Sequence, residues 1–416
     1  MTLSKWRPPI GSIRSVNKSS LIFFVGSVIS YGTNFLFQSL MSRLLGPSTY
    51  GALGSLLGLI TVVTLVASAL QAAITHAVAS GDHTSNDPIV GLALRKPFLR
   101  LSLGSFVLIG SVIAASKLIE NYLHLSSELP VIYFALFLGI NVLCIIPQGV
   151  LLGDLSFTVV AVGLVANALV RLVLGVVLVH FHEGLNGAMV AAVAGAAIQL
   201  MILIEPIRKQ LLAAGNRASR LVNLRYATLA AVSLGGVSSL IGLDSVLARH
   251  YLERAESGYY VAAATGARIA LFLSGAITSM AFPAISRAVG DQVRISRLLR
   301  NSAITVFGLG FAASLGVVSF PHLVISVLFG SRFQHAATVI QILSISSAEM
   351  GLISLLTYYS LAHRSMTAAL SWLGVVAAAF FIALMHKDPI EIAWIMVVTT
   401  SALLIVQAIS IRMLNR

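Results

Sequence analysis

The sequence predicts an all-α integral membrane protein with twelve transmembrane helices, and three observations carry that prediction. Of the 416 residues, 57% are hydrophobic and only 10% charged, with a mean hydropathy of +0.94, a usage outside that of soluble domains. Apolar stretches long enough to cross a hydrocarbon layer of about 30 Å as helices recur along the chain. The short segments between them alternate between rich and poor in Lys and Arg, the signature of a chain threaded back and forth through a bilayer.

The expected spans are 20–45, 50–79, 98–118, 130–152, 157–181, 184–205, 226–249, 258–286, 299–327, 336–362, 366–386 and 389–412. The first is longer than the apolar region of a signal peptide and is followed by no small-residue cleavage pattern, so it reads as a true span. Its polar residues Ser27, Ser30, Asn34, Gln38 and Ser42 recur at steps of three and four and share one face. The second span repeats the device with Thr64, Ser68, Gln71 and Thr75. The fourth holds Cys144, the lone cysteine, which excludes a disulfide framework and a cysteine-based zinc site. The fifth carries Arg171 fourteen residues in and ends at "HFHEG", where His180, His182 and Glu183 offer no metal site, because alternate residues point apart. Segment 206–225, the longest basic stretch between spans, reads as the linker between two halves. The seventh span contains Asp244; the eighth shares one face among Thr265, Arg268, Phe272, Gly275 and Ser279; the tenth contains Glu349.

With the N-terminus placed in the cytoplasm, 19 of the 27 Lys and Arg fall on the inner side and six on the outer: Arg43, Lys117, Arg249, Arg254, Arg332 and Lys387. Both termini are therefore expected inside. The two that remain, Arg171 and Arg268, lie within the membrane. The net charge of +13 does not indicate nucleic-acid binding, since no water-exposed segment is long enough to gather it.

"SRLLGPSTYGAL" (42–53) lies over "ARHYLERAESGYYV" (248–261) with Leu45 on Leu252 and Gly51 on Gly258, an offset of 207; "SGD" at 80–82 and "VGD" at 289–291 follow at nearly the same offset. This reads as a duplication of six helices, giving lobes 1–212 and 213–416 in the same orientation, related by an axis along the membrane normal. "NFLFQSLMSRLLGPSTYGALGSLLGL" resembles the first helix pair of the multidrug/oligosaccharidyl-lipid/polysaccharide exporter superfamily, specifically its bacterial polysaccharide flippases of the Wzx type. "GLDSVLARHYL" with "SGYYVAAATGARIALFLSGAITSMAFPAISRAV" is similar to that family's seventh and eighth helices, including Pro283. The resemblance implies a MATE-like fold in the cytoplasmic membrane. It also implies translocation of an undecaprenyl-diphosphate-linked oligosaccharide between leaflets by alternating access, without a cofactor and without enzymatic chemistry. A polysaccharide polymerase or ligase is a further expected partner.

A charge at the bilayer centre costs roughly 3 kcal/mol or more, so the intramembrane arginines need a partner. A guanidinium stays charged and offers a planar fork of donors to phosphate. The expected substrate-binding residues are Arg268, Arg171, Asn34, Gln38 and Gln71. An internal ion pair with Asp244 or Glu349 is the competing reading for either arginine. Glu349 is itself open between counter-ion and protonatable coupling group. The Ser and Thr members of the stripes equally suit helix–helix hydrogen bonds.

Two rival functions are weighed against this reading. A multidrug or organic-cation exporter of the same superfamily would use carboxylates in the first half, and residues 20–80 contain no Asp or Glu. A polysaccharide polymerase or ligase would need a large external catalytic loop, and the longest outer loop expected is "KLIENYLHLSSEL". A non-transporting membrane component of a polysaccharide assembly complex leaves the buried arginines without a role.

Overall fold

The computed structural model describes residues 10–79, 94–212, 224–287, 292–363 and 365–414. Every regular element among them is helical. The order is α1 (Ile10–Ala79), α2 (Arg95–Ala114), α3 (Ser116–Tyr122), α4 (Leu129–Gly153), α5 (Phe157–His180), α6 (Gly184–Ile204) and α7 (Arg208–Leu212), then α8 (Leu224–Tyr251), α9 (Arg254–Arg287), α10 (Gln292–Ser319), α11 (Pro321–Leu328), α12 (Ala337–Ala362), α13 (Ser371–Leu384) and α14 (Pro389–Leu414).

The first two expected spans form one continuous element broken at an elbow. Gly46 takes φ 72° and ψ 173°, and Pro47 follows it. A left-handed φ ends a helix cheaply only at glycine, and proline, lacking an N–H, suits the start of the next arm. Two expected spans are each divided. Segment 98–118 becomes α2 and α3, with a break at Ala115. Segment 299–327 becomes α10 and α11, with a break at Phe320 before Pro321. In the second case Pro321 cannot donate to the preceding turn, which stops α10 where apolarity alone suggests continuation.

Ten segments among the described residues are long and apolar enough to cross a membrane. The first of them, Leu21–Thr61, contains the Gly46 elbow, and α9 is a long helix outside the ten. Dividing the one gives eleven, and α9 lies where the eighth of the twelve spans is expected. Large apolar side chains stand exposed along these helices, Phe106 on α2, Phe311 on α10 and Val398 on α14 among them. A water-facing protein would not tolerate so much, whereas hydrocarbon matches it.

The core explains how the two halves of the chain meet. Around the elbow one hydrophobic cluster draws from both halves, with Phe37, Tyr50, Tyr260, Phe329 and Phe333 all fully buried. Away from the elbow the clusters are separate. One joins Ile74, Cys144 and Leu211 of the first half, and another joins Ile285, Leu355 and Ile411 of the second.

Among the described residues, the shared core therefore surrounds the elbow, while these two clusters away from it belong to one half each. Backbones touch along the seam. A Cβ on Gly258 would overlap the carbonyl of Pro47, and one on Gly51 would sit 2.6 Å from Ser257 Oγ. Gly51 packs on Gly258, and Gly54 on Val261, so residues 207 positions apart in the sequence meet each other. That is the contact pattern of a two-fold axis running through the seam.

The segments "SGD" (80–82) and "VGD" (289–291), most of the linker 206–225, and the side chains of Thr64, Ser68, Phe272, Gly275, Ser279 and Pro283 lie outside the described residues.

Candidate functional site

Arg171 sits midway along α5, with its stem against Gly195 of α6. Its guanidinium lies over the Phe37 ring of α1, 4.2 Å from the centroid. Nη1 donates to Asn34 Oδ1 at 3.4 Å, a long contact. Nε is buried with no hydrogen-bond partner. No carboxylate pairs with Arg171 among the described residues. Its neighbours are neutral: below it, Asn167 Nδ2 donates to Gln199 Oε1 at 2.5 Å, joining α5 to α6. The result is a cation within the membrane, oriented by a ring and an amide, with part of its donor fork unused.

Arg268, on α9, has the opposite arrangement. Nη2 donates to Asp244 Oδ1 at 2.9 Å and to Ser245 Oγ at 3.2 Å on α8. The same Oδ1 accepts from the Ser245 backbone N–H at 2.6 Å, and Oδ2 accepts from Tyr260 at 3.3 Å. The side chains are 20% exposed for Arg268 and 6% for Asp244. A small cavity of about 20 Å³, lined by Asp244, Arg268, Ser346, Ser347 and others, abuts the pair. That is room for about one water. Of the two readings open for Arg268, the internal ion pair is the one formed in this conformation, and Asp244 is the partner.

Glu349, on α12, is not paired with an arginine among the described residues. Its Oε2 accepts from Thr400 Oγ1 at 2.5 Å and its Oε1 from Ser401 Oγ at 2.6 Å, both on α14. Two hydroxyls of α14 thus hold the Glu349 carboxylate, and no salt bridge reaches it among the described residues.

The polar stripe of α1 divides by residue type. Ser27 and Ser42 bond backbone carbonyls of their own helix, Phe23 and Ser39, and Ser30 bonds Leu164 of α5. These are local and interhelical ties. Asn34 meets Arg171, and Gln38 Oε1 accepts from Tyr50 at 3.4 Å. Tyr50 in turn lies within hydrogen-bond reach of Thr265, one turn from Arg268, so a broken line of polar groups links the two arginines. On the second arm of α1 the Gln71 backbone carbonyl packs on Gly149 of α4, and Thr75, one turn on, donates to the Gly149 carbonyl at 3.1 Å.

Arg249, counted among the outer charges, is in the last full turn of α8 and only 3% exposed. Sequence reading also passed over the Asn167–Gln199 pair and Tyr260. Two amides in adjacent apolar spans were a usable signal for the first.

A multi-pass helical bundle carrying an arginine without a carboxylate partner among the described residues, an arginine–aspartate ion pair and a hydroxyl-bound glutamate inside its apolar helices is built as a membrane transporter. The chain belongs to the polysaccharide biosynthesis protein family, whose pattern matches residues 40–338. It is 23% identical over 334 residues to the probable low-salt glycan biosynthesis flippase Agl15 of Haloferax volcanii, covering 79% of this chain and 68% of that protein. Among solved structures it resembles an inward-facing multidrug resistance MATE transporter of the MOP superfamily, with TM-score 0.78 at 11% identity over 92% of this chain and 94% of the other. It also resembles the lipid II flippase MurJ in an inward closed conformation, with TM-score 0.76 at 11% identity over 94% and 87%. At these identities the structural likeness establishes the MATE-like fold.

Proposed function

We propose that the protein flips an undecaprenyl-diphosphate-linked oligosaccharide across the cytoplasmic membrane for cell-surface polysaccharide export, by alternating access of lobes 1–212 and 213–416. The observation that carries this reading is Arg171, a mid-membrane cation with no carboxylate partner among the described residues and an unused donor. Such a group favours an anionic guest, and a diphosphate matches the fork. An organic-cation exporter would place carboxylates in the first two spans, and residues 20–80 contain no Asp or Glu. The family and the printed activities of Agl15 and MurJ support the same class of cargo.

With both termini in the cytoplasm, the end opposite the elbow faces inward, so this conformation would receive substrate from the inner leaflet. Arg268 would serve as the second phosphate contact once released from Asp244. Glu349 would be the protonation site that couples the cycle to a gradient. A polymerase or ligase would take the flipped product.

Two experiments test this. In proteoliposomes the wild-type protein is expected to accelerate flipping of a fluorescent undecaprenyl-diphosphate oligosaccharide, with an imposed pH gradient raising the rate several-fold in wild type but not in Glu349→Gln. Absence of acceleration overturns the flippase reading, and equal gradient response in the variant removes Glu349 from coupling. For topology, cysteines at Ser126 and Gly184 should react with an impermeant reagent in intact cells and one at Gly215 should not. Labelling at Gly215 would reverse the orientation.

A further inference from the structure

Arg249 donates to five oxygens and to no carboxylate among the described residues. Nε reaches the Leu123 carbonyl at 2.9 Å and Nη2 the His124 carbonyl at 3.2 Å, both at the C-terminal end of α3 in the first half. Nη1 reaches the Ser48 carbonyl at 3.1 Å, just past the elbow, and the Arg254 carbonyl and Ser257 Oγ of its own half at 3.3 and 3.1 Å. Arg43, at the end of the first arm of α1, does the reverse. Its Nη2 donates to Val327 and Ser326 carbonyls, at 2.5 and 3.5 Å, in the last turn of α11 in the second half.

The two arrangements correspond. Arg43 and Arg249 are 206 positions apart in the sequence, one residue fewer than the 207 that separates Leu45 from Leu252 and Gly51 from Gly258, and His124 and Gly330 share that spacing of 206. Those last two are left-handed residues, φ 49° and 95°, that follow α3 and α11. Each arginine therefore crosses the seam to cap the C-terminal end of the equivalent short helix in the opposite half, where unpaired carbonyls and the helix dipole favour a cation.

We propose that Arg43 and Arg249 form a paired clasp that holds the elbow end shut and must open in each transport cycle. The chemistry suits reversible closure. Carbonyl oxygens and guanidinium are both well served by water once the halves part, whereas a buried ion pair would strand a charge. The ring of His250 stacked on Tyr122, centroids 3.9 Å apart, extends the same seam. Arg249 is the stronger member because it is buried and has five acceptors. Arg43 is exposed and contributes less.

The test measures the distance between spin labels at Ser126→Cys and Lys387→Cys, one in each half at the elbow end, in a Cys144→Ser background. It reads the position of the halves and needs no substrate, so it stands apart from the cargo assignment. Arg249→Gln is expected to raise the share of the longer distance about tenfold, and Arg43→Gln by a smaller factor. A staple that only supports folding would lower the melting temperature and leave the distances alone. Distributions unchanged from wild type in both variants overturn the clasp. If Arg249→Gln does not accumulate, Arg43→Gln decides on the same criterion, because an exposed side chain can be removed without unfolding the protein.

Discussion

Arg171→Ala is expected to abolish flipping, a fall of about a hundredfold or more, while the protein still reaches the membrane in normal amount. The first half of that expectation follows from the cargo. Charge-assisted hydrogen bonds contribute about 1.5–3 kcal/mol each, so losing two from a diphosphate removes about two orders of magnitude. The second half follows from the surroundings. Phe37 and Asn34 are neutral, so deleting the guanidinium leaves no stranded charge, and the structural loss is the cation–π contact of about 1–2 kcal/mol. Arg171→Lys keeps the charge and loses the fork, and should retain about a tenth of the rate. Flipping rates paired with membrane abundance check both variants. A full rate in Arg171→Ala would remove this residue from the site.

The second large effect is expected at the Arg268–Asp244 pair, and there abundance changes first. Asp244→Asn leaves Arg268 beside Ser245 without a counter-charge. Breaking a buried pair from one side costs about 3–5 kcal/mol. Partial exposure of Arg268 lowers that to about 2–3 kcal/mol. Arg268→Gln should be equally harmful, since it strands Asp244. The double variant, neutral on both sides, should recover abundance and melting temperature. Its transport is expected to stay at least about tenfold below wild type, because the second phosphate contact is gone. Recovery of transport together with abundance would make the pair purely structural.

These two expectations differ because the two arginines were equally visible in the sequence and unequally partnered in the fold. Hydropathy exposes a charge in an apolar span whatever its neighbours, so both were found. The partner of Arg268 was within reach of reasoning, since Asp244 lies on the preceding helix and consecutive membrane helices are usually neighbours. The surroundings of Arg171 were not, because they depend on α1, α5 and α6 converging, which no local pattern encodes. The internal repeat was legible, and the structure adds a contact to it: Gly51 and Gly258, matched by alignment, touch across the seam. The burial of Arg249 was not legible, because it depends on the last turn of α8 meeting the first half beside Ser48.

The central claim is that Arg171 meets the anionic head of a lipid-linked glycan. The most direct test is a titration of the purified protein with undecaprenyl diphosphate and, in parallel, with undecaprenol, followed by native mass spectrometry. The account predicts that wild type prefers the diphosphate by about a hundredfold and that Arg171→Ala, folded and abundant, binds the two lipids nearly alike. Equal binding of both lipids by wild type, or a preference that survives in Arg171→Ala, would contradict it.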